Sequence, residues 1–337
     1  MSHDRVFRTM TIDGLVTPAF IHNGPTFFLV DLPVYADGLV DCWEMVDMSL
    51  FAAKLRSGWV TVRVPDGEQI SVHGLGMWTV SGGTWDLDSD ALYARVMALL
   101  GALNPRMENL HNCHGRTVET HGNVSVSILG MPKKQPVRLV EPSAVFPRRI
   151  VGEELSVIVT NREVHDIAKA RVFADGLIEL SRIPSPETLD LAGLQEAVSS
   201  GRIVGTVPAG GRMRVHGLGS FVVQEEQWCV DPREQLREIS DLVDRLNGRP
   251  DSIARCRTTY QAYVADPTQA RREALRAAYE NVPEHNRRFV GDMDTKDVAV
   301  RMIVYGEQEI EAWSHRVVAR ATGEAELPTI TVPKPKD

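Results

Sequence analysis

A chain of 337 residues, 43% hydrophobic and 24% charged, is long enough for two or three domains that each bury a core, and its composition excludes fibrous and largely disordered classes. A formal net charge of −8 disfavours non-specific attraction to nucleic acid or anionic membrane surfaces, and no apolar run approaches the roughly 20 residues that cross a bilayer. Residues 1–8 lack the apolar core of a secretory signal, and the four cysteines, Cys42, Cys113, Cys229 and Cys256, show no CxxC spacing, so the expected compartment is the cytoplasm.

The chain opens with β-rich sequence. Residues 12–21 and 25–35 are apolar and β-branched around the hairpin signal Asn23-Gly24, and a turn at Asp37-Gly38 leads into 39–43. A short helix is predicted over 48–55, ended by Ser57-Gly58. Residues 59–64 then alternate, Pro65-Asp66-Gly67 turns, and 69–80 returns as a strand. Read at period two, Ile70, Val72, Gly74, Gly76, Trp78 and Val80 share one face, and Ser71, His73, Leu75, Met77 and Thr79 the other. Two glycines on a core face leave room for a close approach, and the following helix, capped by Asp88 and running to about residue 103, is the predicted neighbour.

The chain then repeats itself. Val72-His73-Gly74-Leu75-Gly76 returns as Val215-His216-Gly217-Leu218-Gly219, a displacement of 143 that holds without a gap from Ser57 to Asn104. That window contains 16 identities in 48 positions, where unrelated sequences would give roughly three. Upstream, Tyr35-Ala36-Asp37-Gly38-Leu39-Val40 answers Phe173-Ala174-Asp175-Gly176-Leu177-Ile178 at 138, so the second copy carries five extra residues in a loop. Its helices are predicted over 189–198 and from Asp231-Pro232 to about 246, and the second Trp of the pair Trp85/Trp228 is expected to seal the same sheet-helix seam as the first. Cys113 and Cys256 also differ by 143, which reads as a repeated core position.

The predicted fold class is α+β: a tandem duplication of a small antiparallel-sheet-plus-helix unit, followed by a C-terminal helical segment. The expected boundaries are 1–121 for the first unit, 122–149 for a linker with a possible strand at 124–129, 150–258 for the second unit, 259–323 for the helical segment and 324–337 for a loose tail in which 329–332 could pair with a sheet edge. Within the helical segment, Asp266-Pro267-Thr268 caps a helix to about 279, a short one starts near Val282-Pro283, and one or two more lie over 294–313.

Candidate site residues are few. His73 and His216, with Leu75 and Leu218 beside them on the predicted outer face, are the candidates for binding or for packing between units, and no nucleophile accompanies both histidines. His111, His114 and His121 near Cys113 are weak candidates for a metal cluster, because the second copy keeps only the cysteine. Glu307, Glu311 and His315 would share a helix face, and Asp292, Asp294 and Asp297 precede them, patterns that a solvated surface and helix caps explain. The basic run Lys133, Lys134, Arg138, Arg148 and Arg149 lacks interleaved aromatics and reads as a solvated linker, so nucleic acid is not an expected partner. No P-loop or GxGxxG occurs, and no cofactor is expected. The resulting expectation is a non-enzymatic protein-binding or adaptor protein, in the setting of a bacterial stress, immunity or phage-defence system. The alternative is a metal-assisted or histidine-dependent hydrolase with its site between the two units.

Overall fold

The structure, a computed structural model, describes residues 12, 14–110, 120–121, 124–125, 137–143, 146–325 and 330–336, with the stretch from 120 to 150 described by its backbone alone. The first copy starts with the hairpin β1 (Gly14–Asn23) and β2 (Thr26–Tyr35), turned at Gly24, where φ is 61°. After β3 (Val40–Asp41) and β4 (Met45–Val46), the helix α1 (Met48–Arg56) is capped by Asp47, which accepts from the Leu50 amide. Next come β5 (Val60–Thr61), β6 (Gln69–Val72), β7 (Gly76–Trp85) and α2 (Ser89–Leu103), the last capped by Asp88 as its sequence predicts.

A small hairpin, β8 (Thr120–His121) with β9 (Val124–Ser125), follows. The segment expected as a linker then holds β10 (Val137–Ser143), which pairs with the first residues of β11 (Phe146–Asn161). The second copy repeats the order: β12 (Val164–Phe173), β13 (Ile178–Ser181), β14 (Glu187–Leu189), α3 (Leu191–Ser199), β15 (Ile203–Val204), β16 (Arg212–Val215), β17 (Gly219–Cys229) and α4 (Pro232–Leu246). The five extra residues are not confined to a loop: they lengthen the β13–β14 hairpin, whose strands have four and three residues against two and two in β3–β4, and whose turn has five against three.

The class is α+β, and the two copies share one sheet. Its strands run β10-β11-β12-β16-β17-β7-β6-β2-β1-β5, so β7 and β17, the last strand of each copy, pair antiparallel and fuse the halves. Val80 faces Val223, its own counterpart at 143, which places a pseudo-twofold axis at that pair. Each unit is not purely antiparallel: β2 runs parallel to β6, and β12 to β16.

The predicted single strand over 69–80 is two strands. Val72 and Gly76 are opposite each other, the Leu75 amide donates to the Val72 carbonyl at 3.0 Å, and Gly74 takes φ of 67°. The same turn recurs with Leu218 donating to Val215 and Gly217 at 73°. A left-handed residue ends the period-two alternation, so Leu75 and Leu218 swing inward and are fully buried, while His73 and His216 stay exposed. Each buried leucine adds about 2 kcal/mol to the core. The close neighbour of the glycines is also different: a Cβ on Gly219 would lie 2.1 Å from the Thr84 carbonyl oxygen, and one on Gly76 would lie 2.8 Å from that of Trp228. Gly219 is approached by the backbone of β7 from the other copy, and Gly76 by the Trp78 ring of its own strand as well as by β17.

Both faces of the sheet are covered. On the outer face of the second unit, Val157, Val159, Ala168 and Ala170 pack with Ile239, Leu242 and Val243 of α4. The opposite face joins the copies: Phe20, Leu75 and Trp78 share one cluster with Ile158, Ile167, Leu218 and Phe221. The sheet is curled enough for β2 to reach β12 across that interior, where Asp31 meets Lys169 at 3.2 Å and Arg182 at 2.5 Å. Asp31 and Lys169 are counterparts at 138, so opposite charges occupy twin positions across the axis.

The helical segment begins earlier than expected, because α5 (Ser252–Ala265) is one continuous helix across residue 258. Cys256 is buried inside it, as expected of a core position, and Cys113, its partner at the 143 displacement, lies outside the described residues. With α6 (Gln269–Glu280), α7 (Val298–Tyr305) and α8 (Ser314–Thr322), and 3-10 turns at Glu284–Phe289 and Glu307–Ala312, it has its own core around Tyr263, Leu275 and Ile303. Asp241 of α4 anchors it by accepting from the Ser252 amide and hydroxyl. His285 lies 3.0 Å from Glu238. Among the described tail residues, 330–336 cross this bundle rather than a sheet edge: the Tyr263 hydroxyl donates to the Pro333 carbonyl at 2.8 Å, and Val332 packs into both helical clusters.

Candidate functional site

The shared sheet makes the two copies directly comparable position by position. Side chains on directly paired residues of neighbouring strands point to the same face. In the first copy such a row runs Phe28 (β2), Ser71 (β6), Met77 (β7) and then Trp228 from β17 of the second copy. The related row runs Asp166 (β12), Arg214 (β16), Ser220 (β17) and Thr84 from β7 of the first copy. One row is apolar except for the buried Ser71, and the other is charged and hydroxylated.

Two more residues extend the apolar row. Phe28 lies 5.1 Å from Trp43, and Trp43 is edge-on to Trp59 at 6.2 Å. Trp43 is 53% exposed and holds φ of 71°, a left-handed conformation that is uncommon for a large side chain. Lys54 sits over the Trp59 ring at 5.2 Å and pairs with Glu44 at 3.1 Å, giving the patch a polar rim. Trp228, at the far end, is 44% exposed.

That exposure corrects the expectation of two equivalent tryptophans. Trp85 contacts Phe20 edge-on at 5.4 Å, stacks with Phe221 at 6.3 Å and donates its indole N–H to the Val64 carbonyl at 3.1 Å. True symmetry with the Trp85–Gly219 pair would set Trp228 opposite Gly76. Extra residues in β17 at the register shifts 223/225 and 226/228 instead set Cys229 opposite Gly76 and Trp228 opposite Met77. A bulge changes which face a side chain takes, and here it turns one indole out to solvent.

The charged row borders a cleft of about 510 Å³ formed by both copies, with Thr84 and Asp86 from the first and Arg182, Arg214, His216 and Ser220 from the second among its walls. Arg214 grips the buried Asp166 through Nε and Nη2, and that contact raises the guanidinium pKa further. His73 lines a different cleft of about 250 Å³, together with Asp31, Lys169, Glu238 and Arg245. The two histidines therefore do not meet in one site. Leu75 and Leu218, buried in the core, reach neither surface.

The remaining candidates fall apart or lie elsewhere. His111, His114, Cys113, Lys133 and Lys134 lie outside the described residues, as do the side chains of His121, Arg138, Arg148 and Arg149. Among the described residues no group of three metal-capable side chains forms. Glu307 and Glu311 stand on a 3-10 turn and His315 on α8, so they share no helix face: Glu307 pairs with Lys334, and Glu311 with Arg316 and Arg320. Asp292 accepts from the Asp294 and Thr295 amides as a turn cap, while Asp297 accepts from the Tyr279 hydroxyl at 2.6 Å. Sequence reasoning passed over Thr160 and His165, whose Oγ1 and Nδ1 lie 2.9 Å apart. Both oxygens of the adjacent Asp166 are taken by Arg214, which leaves that imidazole without an orienting carboxylate.

No curated protein and no solved structure matches the chain. A family model described as "Domain of unknown function (DUF7639)" matches residues 251–328, the helical segment that begins at α5. A second model, "Domain of unknown function (DUF7638)", matches residues 2–107 and again 141–250, which are the two halves of the shared sheet with their helices. With more than half of its length matched in this way, the chain belongs to the DUF7638 family and carries two copies of that domain.

Proposed function

We propose that the chain is a non-enzymatic binding or adaptor protein whose partner is another protein, docked on the apolar row that Trp43 and Trp228 delimit. The observation that carries this reading is the difference between the copies. Phe28, Trp59 and Met77 stand where the second copy has Asp166, Arg202 and Ser220, so aromatic and apolar character is confined to one of two twin surfaces. Two exposed tryptophans flanking the half-buried Phe28, Trp59 and Met77, within a polar rim, match the composition of interface cores and hot spots. The partner presents an apolar segment long enough to cover Trp43 and Trp228 together.

The setting that fits is the cytoplasm of a bacterium, in a stress, immunity or phage-defence system. Cys42, Cys229 and Cys256 are all free thiols, in keeping with a reducing compartment, and no described helix is long and apolar enough to cross a membrane. The test is co-purification from the native host with tagged wild type and with Trp43→Ser/Trp228→Ser. Both rings are exposed, so the double variant keeps the wild-type melting curve. The reading requires at least one protein retained by the wild type and released by the variant; identical retained sets would refute it.

A further inference from the structure

The cleft beside the His216 turn has a chemistry of its own, and we infer that it binds a small phosphate-bearing anion. In a chain of net charge −8, two arginines line the cleft and two more bond to residues of its wall. Arg182 and Arg214 line the cleft, Arg95 donates to the Gly217 carbonyl at 3.0 Å, and Arg212 donates to the Ser220 hydroxyl at 3.3 Å. Asp31 and Asp166 balance Arg182 and Arg214. Among the described residues Arg95 and Arg212 have no carboxylate partner, and they bond only to neutral oxygens. The carboxylate that lines the cleft, Asp86, is exposed. The guanidinium groups in the wall or bonded to it therefore outnumber the carboxylates that pair with them or line the cleft.

The twin turn serves as an internal control. At the 143 displacement, Arg95, Arg212, Arg214 and Ser220 correspond to Glu238, Gln69, Ser71 and Met77. The His73 turn has the same backbone without this set, so folding of the hairpin does not require it. What the second copy adds is a guanidinium anchored on its Nε edge by Asp166, a guanidinium at Arg212 that donates to the Ser220 hydroxyl, and that hydroxyl itself; His216, the counterpart of the exposed His73, and Thr84 from the first copy complete the set of donors. Donors arriving from several directions suit a tetrahedral phosphate better than a planar carboxylate. A volume of about 510 Å³ lies in the range of small-molecule sites and leaves room for an organic body against Ile183 and Pro184, with Asp86 accepting from a hydroxyl of that body.

Titration calorimetry on the full chain tests this with inorganic phosphate, adenosine 5′-monophosphate and citrate as probes. The key variant is Arg212→Gln/His216→Asn, which leaves the Asp166–Arg214 pair intact; if its melting curve falls, Arg95→Gln replaces it. Saturable one-site binding of phosphate or the nucleotide, weakened about tenfold or more in the variant and by added salt, is the expected result. No saturable binding by either phosphate probe, binding by citrate only, or equal affinity in wild type and variant would each overturn it. Trp43→Ser/Trp228→Ser should bind as wild type, which separates failure here from failure of the protein-docking reading.

Discussion

At Trp85 the indole is wedged between Phe20 and Phe221 with its N–H satisfied, while at the repeated position Trp228 nearly half of the side chain faces solvent. Truncation should separate them. Trp85→Ala is expected to lose about 3 kcal/mol of stability, and Trp228→Ala less than about 1 kcal/mol, as read by denaturant unfolding. Equal losses would mean that the bulges in β17 do not turn Trp228 outward. The sequence shows that the two tryptophans are counterparts, but not that they differ, because polar residues such as Gln224 and Gln227 sit equally well in a strand or in a bulge. The apolar row was partly legible: Phe28 against Asp166 and Trp59 against Arg202 are differences in kind between aligned copies. Which of them share a face depends on strand pairing between distant segments, and a single sequence does not contain that.

Among the elements, helices were the most legible, since Asp88 and Asp231 cap theirs as the sequence indicates, and Asp47 and Asp190 do the same for the two shorter helices. The hairpin β6–β7 was misread as one strand because Val72, Trp78 and Val80 are all buried and fit a continuous alternation across a turn of three residues. Its glycines have unequal roles. Gly74 has φ of 67° but nothing within 4 Å of an added Cβ, so Gly74→Ala carries only the left-handed backbone cost of about 1–2 kcal/mol. Gly219→Ala must also displace Thr84 backbone across the seam between the copies. It is expected to cost more than Gly74→Ala and to lower the cooperativity of unfolding; an equal cost for both would show that the seam at β7 and β17 is loose.

For the whole molecule, the duplication was legible and the way the halves join was not, because edge-to-edge pairing leaves no local pattern. The interior contact at Asp31 reports on that junction. Burial alone would raise its carboxyl pKa, but Lys169 and Arg182 outweigh burial and hold it below the usual 3.8. A depressed carboxylate pKa stabilises the fold above the unfolded-state value, and that stability is lost as pH falls through the lower folded-state value. Asp31→Asn should therefore be less stable than wild type by about 2 kcal/mol near neutral pH, with the gap closing as pH falls below the ordinary carboxylate range. A gap independent of pH would remove the charge pair from the junction.

Every comparison between the apolar and charged rows depends on the two copies sharing one sheet about Val80 and Val223. Val80→Cys/Val223→Cys, refolded under oxidising conditions with Cys113 replaced by Ser and mapped by mass spectrometry, tests this most directly. The structure predicts a disulfide joining positions 80 and 223 within one chain. Free thiols at both positions, or a link formed only between chains, would contradict it.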